Sequence, residues 1–242
     1  MHLNNARLEL IYELIKNENR KFKCMADVGT DHAYLPVYAV QQGTCLTAIA
    51  SDVNPLPLKR ATENIKKYRL SDKIQLLLSD GLCDYPSECD VVCIAGLSGS
   101  TIISILEKYL LNPWRVNPMF VLQPNTDVRK TREFLIKNGF SYQDEQVCLD
   151  KKHEYPIIKG SFRSGGKLQE IKNDILFYHL GLFTERNDEQ SLSYLKRIYE
   201  KYILILNKIT TATRDLQLRE ETIISEYKEV TEYIKNKINI QK

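Results

Sequence analysis

The sequence predicts a doubly wound, mostly parallel α/β sheet followed by an antiparallel helical domain. Three observations carry this. Between residues 22 and 138, short apolar runs alternate with amphipathic helical patterns. Strand-then-helix units of that length place helices on both faces of one parallel sheet. After Gly139, the runs 141–149 and 155–162 read as a terminal hairpin of antiparallel edge strands. Beyond residue 164 the pattern gives way to two long stripes at helical spacing.

Taken in order, Leu3, Leu8, Ile11, Leu14 and Ile15 mark an amphipathic leading helix over 3–17. Strands are expected at 22–28 (FKCMADV), 46–52 (LTAIASD), 74–79 (IQLLLS), 90–95 (DVVCIA) and 119–123 (MFVLQ), with helices at 32–42, 55–69, 100–111 and 127–138. Asn54 before Pro55 reads as an N-cap with Pro at the first helical position. Thr126 or Asp127 opens the helix that Gly139 closes. Leu192, Leu195, Ile198, Tyr202, Ile203, Leu206 and Ile209 form one later stripe. Leu216, Ile223, Tyr227, Val230, Ile234 and Ile238 form the other. The break at "TTATRD" is short enough for an antiparallel, coiled-coil-like hairpin. The expected domains are 1–164 and 165–242.

The 242 residues, 43% hydrophobic and 27% charged, suit one substantial core and a small second unit. No apolar run approaches the roughly 18–20 residues that span a bilayer, and residues 1–25 lack the pattern of a secretory signal. The expectation is a cytoplasmic protein without a membrane partner and with no obligatory protein partner evident. Cys24, Cys45, Cys83, Cys89, Cys93 and Cys148 contain no CxxC pair and no paired His spacing, so they read as reduced core thiols rather than metal ligands. The net charge of +3 divides into +2 for residues 1–164 and +1 for 165–242. Any nucleic-acid contact must therefore come from local clusters. Candidates are Arg20, Lys21 and Lys23; Lys59, Arg60, Lys66, Lys67 and Arg69; and Arg129, Lys130 and Arg132. On the helical hairpin, Lys196, Arg197, Lys201, Lys208, Arg214 and Arg219 are interleaved with acids and read first as a solvated face.

Ligands of open parallel sheets bind beyond the carboxyl ends of the strands, near the point where strand order reverses. The unusual polar residues fall there. Strand one ends in Asp27, Val28, Gly29, Thr30, Asp31 and His32, a turn with one glycine where a dinucleotide turn has two or three. Strand two ends in Asp52, Val53 and Asn54. Asp52 lies 23 residues after Gly29, where a carboxylate can accept both ribose hydroxyls. Strand three ends in Ser79, Asp80, Gly81 and Leu82, an acidic turn suited to an adenine amino group. Strand four ends in Ala95, Gly96, Leu97, Ser98 and Gly99, small enough at Ala95 and Gly96 for a ligand to lie on the backbone. A dinucleotide needs its pyrophosphate held by exposed amides at a helix N-terminus, and Asp31 would repel it. S-adenosyl-L-methionine carries no phosphate and brings a sulfonium and an ammonium. The acidic mouth thus favours this methyl donor over NAD, and no GxxxxGK motif offers a nucleoside triphosphate site.

The stretches "ADVGTDHAYLPVYAV", "AIASDVNPLPLKRATENI", "LSDGL", "VVCIAG" and "LQPNTDVRKTREFLIKNGF" together resemble the bacterial TrmK family, in order and spacing over residues 3–160. One departure stands out: the family usually reads "IAGMGG" where Leu97 and Ser98 give "IAGLSG" here. The resemblance implies a class I, Rossmann-like methyltransferase sheet with a C-terminal helical domain. It also implies methylation of N1 of adenine 22 in tRNA, with residues 165–242 contributing to tRNA binding and no metal required.

N1 of adenine has an in-plane lone pair, so the protein must extract, position and electrostatically support the base rather than deprotonate it. Asp31 is the candidate for that support, or it binds the donor's ammonium. Asn125 in "LQPN" either donates and accepts at the adenine edge or caps the following helix. His32 and Tyr34 start the helix after strand one and are candidates to line the pocket; for His32 the alternative is an interior hydrogen-bonding group. No Asp/Asn-Pro-Pro-Tyr/Phe motif for exocyclic-nitrogen methylation occurs. The competing readings are a small-molecule methyltransferase on the same fold and a tRNA-binding protein without turnover.

Overall fold

The computed structural model describes residues 3, 5–18, 20–82, 89–112, 117–150, 153–162, 171, 173–211 and 221–239. Cys83, Arg214, Leu216 and Arg219 lie outside the described residues. The chain forms two compact units, Met1–Gln169 and Glu170–Lys242.

In the first unit, α1 (Ala6–Lys16) precedes β1 (Phe22–Val28), α2 (Tyr34–Gln41), β2 (Cys45–Asp52), α3 (Pro55–Lys67) and β3 (Ile74–Leu78). There follow β4 (Cys89–Leu97), α4 (Gly99–Leu111), β5 (Met119–Pro124), α5 (Val128–Lys137), β6 (Phe140–Asp150) and β7 (His153–Phe162). The seven strands lie in the order β3-β2-β1-β4-β5-β7-β6. Strands β1 to β5 are parallel, and the β6–β7 hairpin adds antiparallel strands beyond β5. This is the doubly wound sheet with an antiparallel edge that the sequence predicts.

Alternation along the central strands sends side chains to two cores. Val91, Cys93, Met119 and Val121 join Ile11, Ile15, Leu35, Val37, Ala61 and Ile65 from α1, α2 and α3. On the other face, Phe120 meets Tyr109 of α4 and Phe162 of β7 edge-on, at 5.2 and 5.5 Å between ring centroids. Cys24, Cys45, Cys89, Cys93 and Cys148 are buried as thiols. Burial lifts the Cys45 thiol to about 12.

Helix α2 begins two residues later than the pattern at 32–42 suggests. Asp31 and Ala33 hold left-handed backbone, at φ 46° and 54°, so a right-handed turn starts only at Tyr34. A second departure concerns Arg132. The sequence groups it with an RNA-facing cluster, yet it is fully buried, with Nε and Nη2 each 2.9 Å from Glu145 Oε1 on β6. Helix α5 lies with that face on the sheet, and a buried guanidinium requires a charged partner there.

The second unit contains α6 (Asp174–Leu180), a 3₁₀ turn (Gly181–Thr184), α7 (Glu189–Thr210) and a last helix, α8 (Glu221–Asn239). Tyr202 of α7 stacks on Tyr227 of α8 at 4.2 Å. Lys196, Tyr199 and Glu200 share a cavity with Lys235, Ile238 and Asn239, so the two helices run antiparallel. Helix α6 has no counterpart in the stripes read from sequence. It docks through buried His179, whose Nδ1 lies 2.7 Å from Tyr202 Oη and Nε2 3.1 Å from Glu226 Oε2.

Arg132→Met, which strands the buried Glu145 carboxylate, should lower unfolding free energy by about 3–5 kcal/mol in urea titrations. Pairing it with Glu145→Leu should restore most of that loss.

Candidate active site at the carboxyl edge of the sheet

Strand order reverses across β1: β2 lies on one side and β4 on the other. The chain leaves β1 through a turn hung on β2, where the N–H groups of Gly29 and Thr30 both donate to Ser51 O at 2.9 Å. Gly29 has φ 79°, and a Cβ on it would sit 3.2 Å from Leu97 Cδ2. The left-handed conformation favours glycine here, and the Leu97 side chain packs closely against it. Asp27 is buried beneath the turn, with Oδ2 accepting from Thr30 Oγ1 at 2.5 Å. Burial is the main cause that raises its carboxyl to about 6; the Thr30 hydroxyl opposes this, and the charge of Asp52 adds to it.

Helix α3 clamps the outer part of the turn. Arg60 forms an ion pair with Asp31 through Nη2, and Nε donates to Asp31 Oδ1 at 3.1 Å. One turn on, Asn64 Nδ2 donates to His32 O at 2.9 Å. His32 stacks on Tyr34 with ring centroids 5.0 Å apart and planes 8° from parallel. Its Nε2 is 3.6 Å from Asp31 Oδ2.

At the end of β2, Asp52 Oδ1 accepts from Asn54 N–H at 2.8 Å. Asn54 is the N-cap residue of α3 but makes no side-chain capping bond, and Val53 is exposed. Beyond β3, the Ser79 N–H donates to Asp52 O at 3.1 Å, Asp80 is ion-paired with Lys108 of α4, and Leu82 is buried. Gly81, at φ 70°, runs against Ile105 of α4.

At the end of β4, beyond Ala95, the Gly96 N–H donates to Gln123 Oε1 at 3.1 Å, and Gly96 O accepts from Asn125 Nδ2 at 2.7 Å. Asn125 Oδ1 in turn accepts from Arg7 Nη1 and Gln123 Nε2, both at 3.1 Å. Both lone-pair positions of the amide oxygen are thus taken by protein donors, which leaves one N–H of the side chain for anything else. The dual donor–acceptor reading of Asn125 narrows to a donor. Its alternative as the cap of α5 also fails, since Asp127 is the N-cap residue there.

The departure at Leu97 and Ser98 has a local use. Leu97 covers Gly29, and Ser98 caps α4, its Oγ accepting from Thr101 N–H at 3.1 Å. Gly99 remains glycine because a Cβ would lie 2.6 Å from Thr126 O.

The structure therefore brings Asp27, Asp31, Asp52 and Asp80 to the carboxyl ends of adjacent strands, with Gly96 and Asn125 across the β1–β4 crevice. It adds four residues that sequence reasoning did not place there: Arg7, Arg60, Lys108 and Gln123. In the sequence Arg60 reads only as part of a basic cluster. Arg7 stands 118 residues from Asn125 in the chain, and no spacing rule connects them. Its guanidinium also lies 5.2 Å from the Tyr155 ring centroid. Among the described residues, no group of three His, Cys, Asp or Glu side chains is arranged to hold a metal ion.

Residues 4–158 match the family described as "Methyltransferase domain". The tRNA (adenine(22)-N(1))-methyltransferase of Bacillus subtilis is 33% identical over 155 residues, which cover 64% of this chain and 63% of that protein. The aligned part thus spans less than two thirds of that relative. The likeness of fold runs further. A structure of M. capricolum TrmK in complex with S-adenosyl-homocysteine is 27% identical with a TM-score of 0.76, covering 96% of this chain and 100% of that one. The B. subtilis M1A22 tRNA methyltransferase TrmK is 26% identical with a TM-score of 0.73, covering 96% and 97%. The strand order, the carboxylates at the strand ends and these likenesses agree: the chain belongs to the methyltransferase domain family, and the structures it resembles over nearly its whole length include those of TrmK.

Proposed function

We propose that this protein is an S-adenosyl-L-methionine-dependent methyltransferase acting on N1 of adenine 22 of tRNA in the cytoplasm. One observation carries the donor assignment. The carboxyl ends of β1, β2 and β3 carry Asp31, Asp52 and Asp80, two of them ion-paired with Arg60 and Lys108, and the turn after β1 lacks the glycine-rich run of amides that a pyrophosphate requires. The B. subtilis tRNA (adenine(22)-N(1))-methyltransferase supports the substrate, and M. capricolum TrmK, with S-adenosyl-homocysteine bound, supports the donor.

The residues present fit the donor. Asp52, oriented by the Asn54 N–H, faces a ribose diol as a double acceptor. Ser79 and Asp80 stand where an adenine amino group is read, with Leu82 beneath. Asp31 and Arg60 form a plus–minus pair matching the ammonium and carboxylate of an amino-acid group. Gly96 lets the ligand approach the backbone. When bound, S-adenosyl-L-methionine supplies the electrophilic methyl group.

The chain's own residues then hold the base and support its charge. Methylation leaves the adenine ring cationic, and the Asp31 carboxylate lowers the energy of that developing charge. Asn125, locked by Arg7, Gln123 and Gly96, offers one N–H to orient the base. Exposed Lys196, Lys201 and Lys208 on α7 extend the phosphate-binding surface of the second unit. Ser98 and Leu97 serve cap and packing roles, so their departure from the family pattern does not argue for loss of turnover.

Labelled donor and an unmodified tRNA transcript should yield a single methylated adenine at position 22, at N1, when the product is mapped. Methylation only elsewhere, or none, would defeat the proposal.

Asp31→Asn keeps the size of the side chain and its tolerance for left-handed backbone. It should fold and reduce single-turnover rates by at least about tenfold, or roughly 1.4 kcal/mol. If Asp31 serves only the donor's ammonium, the rate will recover at saturating donor.

Asp27 makes stability depend on pH. Its folded value, about 6, lies above the ordinary 3.8, so the folded chain binds the proton more tightly than the unfolded chain. The resulting stabilisation is complete below pH 3.8 and is lost as pH rises through about 6. Asp27→Asn should abolish this slope between pH 4 and 7 and stabilise the ligand-free protein near neutrality by about 2–3 kcal/mol, read from urea titrations at each pH.

A further inference from the structure

A cavity of about 380 Å³ opens at the amino-terminal edge of the sheet, lined by residues of α1, the α1–β1 connection, α2 and the α2–β2 turn. The seven-residue β1 separates it from the donor mouth by roughly 20 Å. Its wall carries a buried hydroxyl pair: Tyr12 Oη and Thr44 Oγ1 lie 2.9 Å apart, at 5% and 9% exposure. Two hydroxyls joined by one hydrogen bond spend one O–H on each other. The second O–H finds no acceptor among the described residues and is left for a molecule in the cavity.

The surroundings say what kind of acceptor suits it. Lys16, Arg20 and Lys21 line the same cavity, against a single acid, Glu13, whose Oε1 is 3.4 Å from Lys16 Nζ. The Arg20 guanidinium is held over the Phe22 ring, 4.5 Å from its centroid. Tyr38, half-buried, contributes an aromatic wall set edge-on to Tyr12 at 4.7 Å. An excess of cations, an unspent buried donor and an aromatic wall in a space far larger than one phosphate call for a phosphate joined to a flat ring.

We propose that this cavity binds a phosphorylated nucleoside, either as a free mononucleotide or as one unit of an RNA chain. The phosphate sits among Lys16, Arg20, Lys21 and the Tyr12–Thr44 hydroxyls, and the base lies against Tyr38. Only the RNA source rests on the tRNA reading above; the cavity is distinct from the donor site.

The test uses the full chain saturated with S-adenosyl-homocysteine and needs no turnover. Uridine 5′-monophosphate and inorganic phosphate are titrated by calorimetry, and an unmodified tRNA transcript is titrated by filter binding at several salt concentrations. For a free nucleotide, uridine monophosphate binds at least about tenfold more tightly than phosphate, the share of a stacked base. Arg20→Glu with Lys21→Glu weakens it at least about tenfold without changing S-adenosyl-homocysteine affinity. For an RNA unit, the same double variant weakens tRNA binding about tenfold and flattens the salt dependence by about two counterions. Tyr12→Phe, which leaves every charge in place, weakens whichever ligand is bound by about threefold or more. Either pattern supports the site. Uridine monophosphate displaced by S-adenosyl-homocysteine, or tRNA and nucleotide binding indifferent to Tyr12→Phe and to the double variant, overturns it. Failure of tRNA methylation with nucleotide binding intact would overturn the enzyme reading and leave this one standing.

Discussion

Strand β1 is hydrogen-bonded along both edges, to β2 on one side and β4 on the other, and the chain order reverses across it. The connections from β1 and from β4 therefore lead to opposite faces of the sheet, and a crevice opens between the two strand ends. The remaining features of the site follow from how the chain leaves that crevice. Gly29 turns left-handed under Leu97, its N–H and that of Thr30 are spent on β2, and Asp31 and Ala33 also take left-handed backbone. Non-glycine residues in that region carry strain of order 1–3 kcal/mol each. The turn persists because α3 holds it from outside through Arg60 and Asn64.

The same helices balance the charge of the mouth. Asp31 is matched by Arg60 of α3, and Asp80 by Lys108 of α4. Exposed pairs of this kind contribute little to stability. Their consequence is electrostatic pattern, since a ligand carrying both an ammonium and a carboxylate meets both signs side by side at each pair. Asp27 behaves differently. It is buried, leans on a single hydroxyl, and burial pushes its carboxyl up to about 6. The site thus combines accessible, neutralised acids at its rim with one acid whose ionisation is costly at its base.

Across the crevice the polar groups are tied to one another. Asn125 joins the ends of β4 and β5 to α1 through Gly96, Gln123 and Arg7. The leading helix, which in sequence is an ordinary amphipathic segment, therefore reaches the site and sets the orientation of its amide. Leu97 and Ser98 show the same economy of position: one packs on Gly29, and the other caps α4.

The fold and the acidic character of the site were legible in the sequence because both are written in local backbone chemistry. Alternating apolar runs mark strands, and the residue after a strand must turn, so Gly29, Asp52, Asp80 and Gly96 announce themselves by position. Spacing then orders them along one edge of a parallel sheet. Tertiary packing alone decided what those residues touch. Arg132 sits in the polar-looking stretch "VRKTREFLIK", yet the face of α5 that meets β6 buries it against Glu145. Asp31 gained Arg60, Asn125 gained Arg7, and α6 was recruited by His179 into a helical unit whose long stripes alone were visible. A side chain's charge is a property of the sequence. Its burial and its partner depend on which helix face the sheet selects, and that selection is made by contacts between residues far apart in the chain.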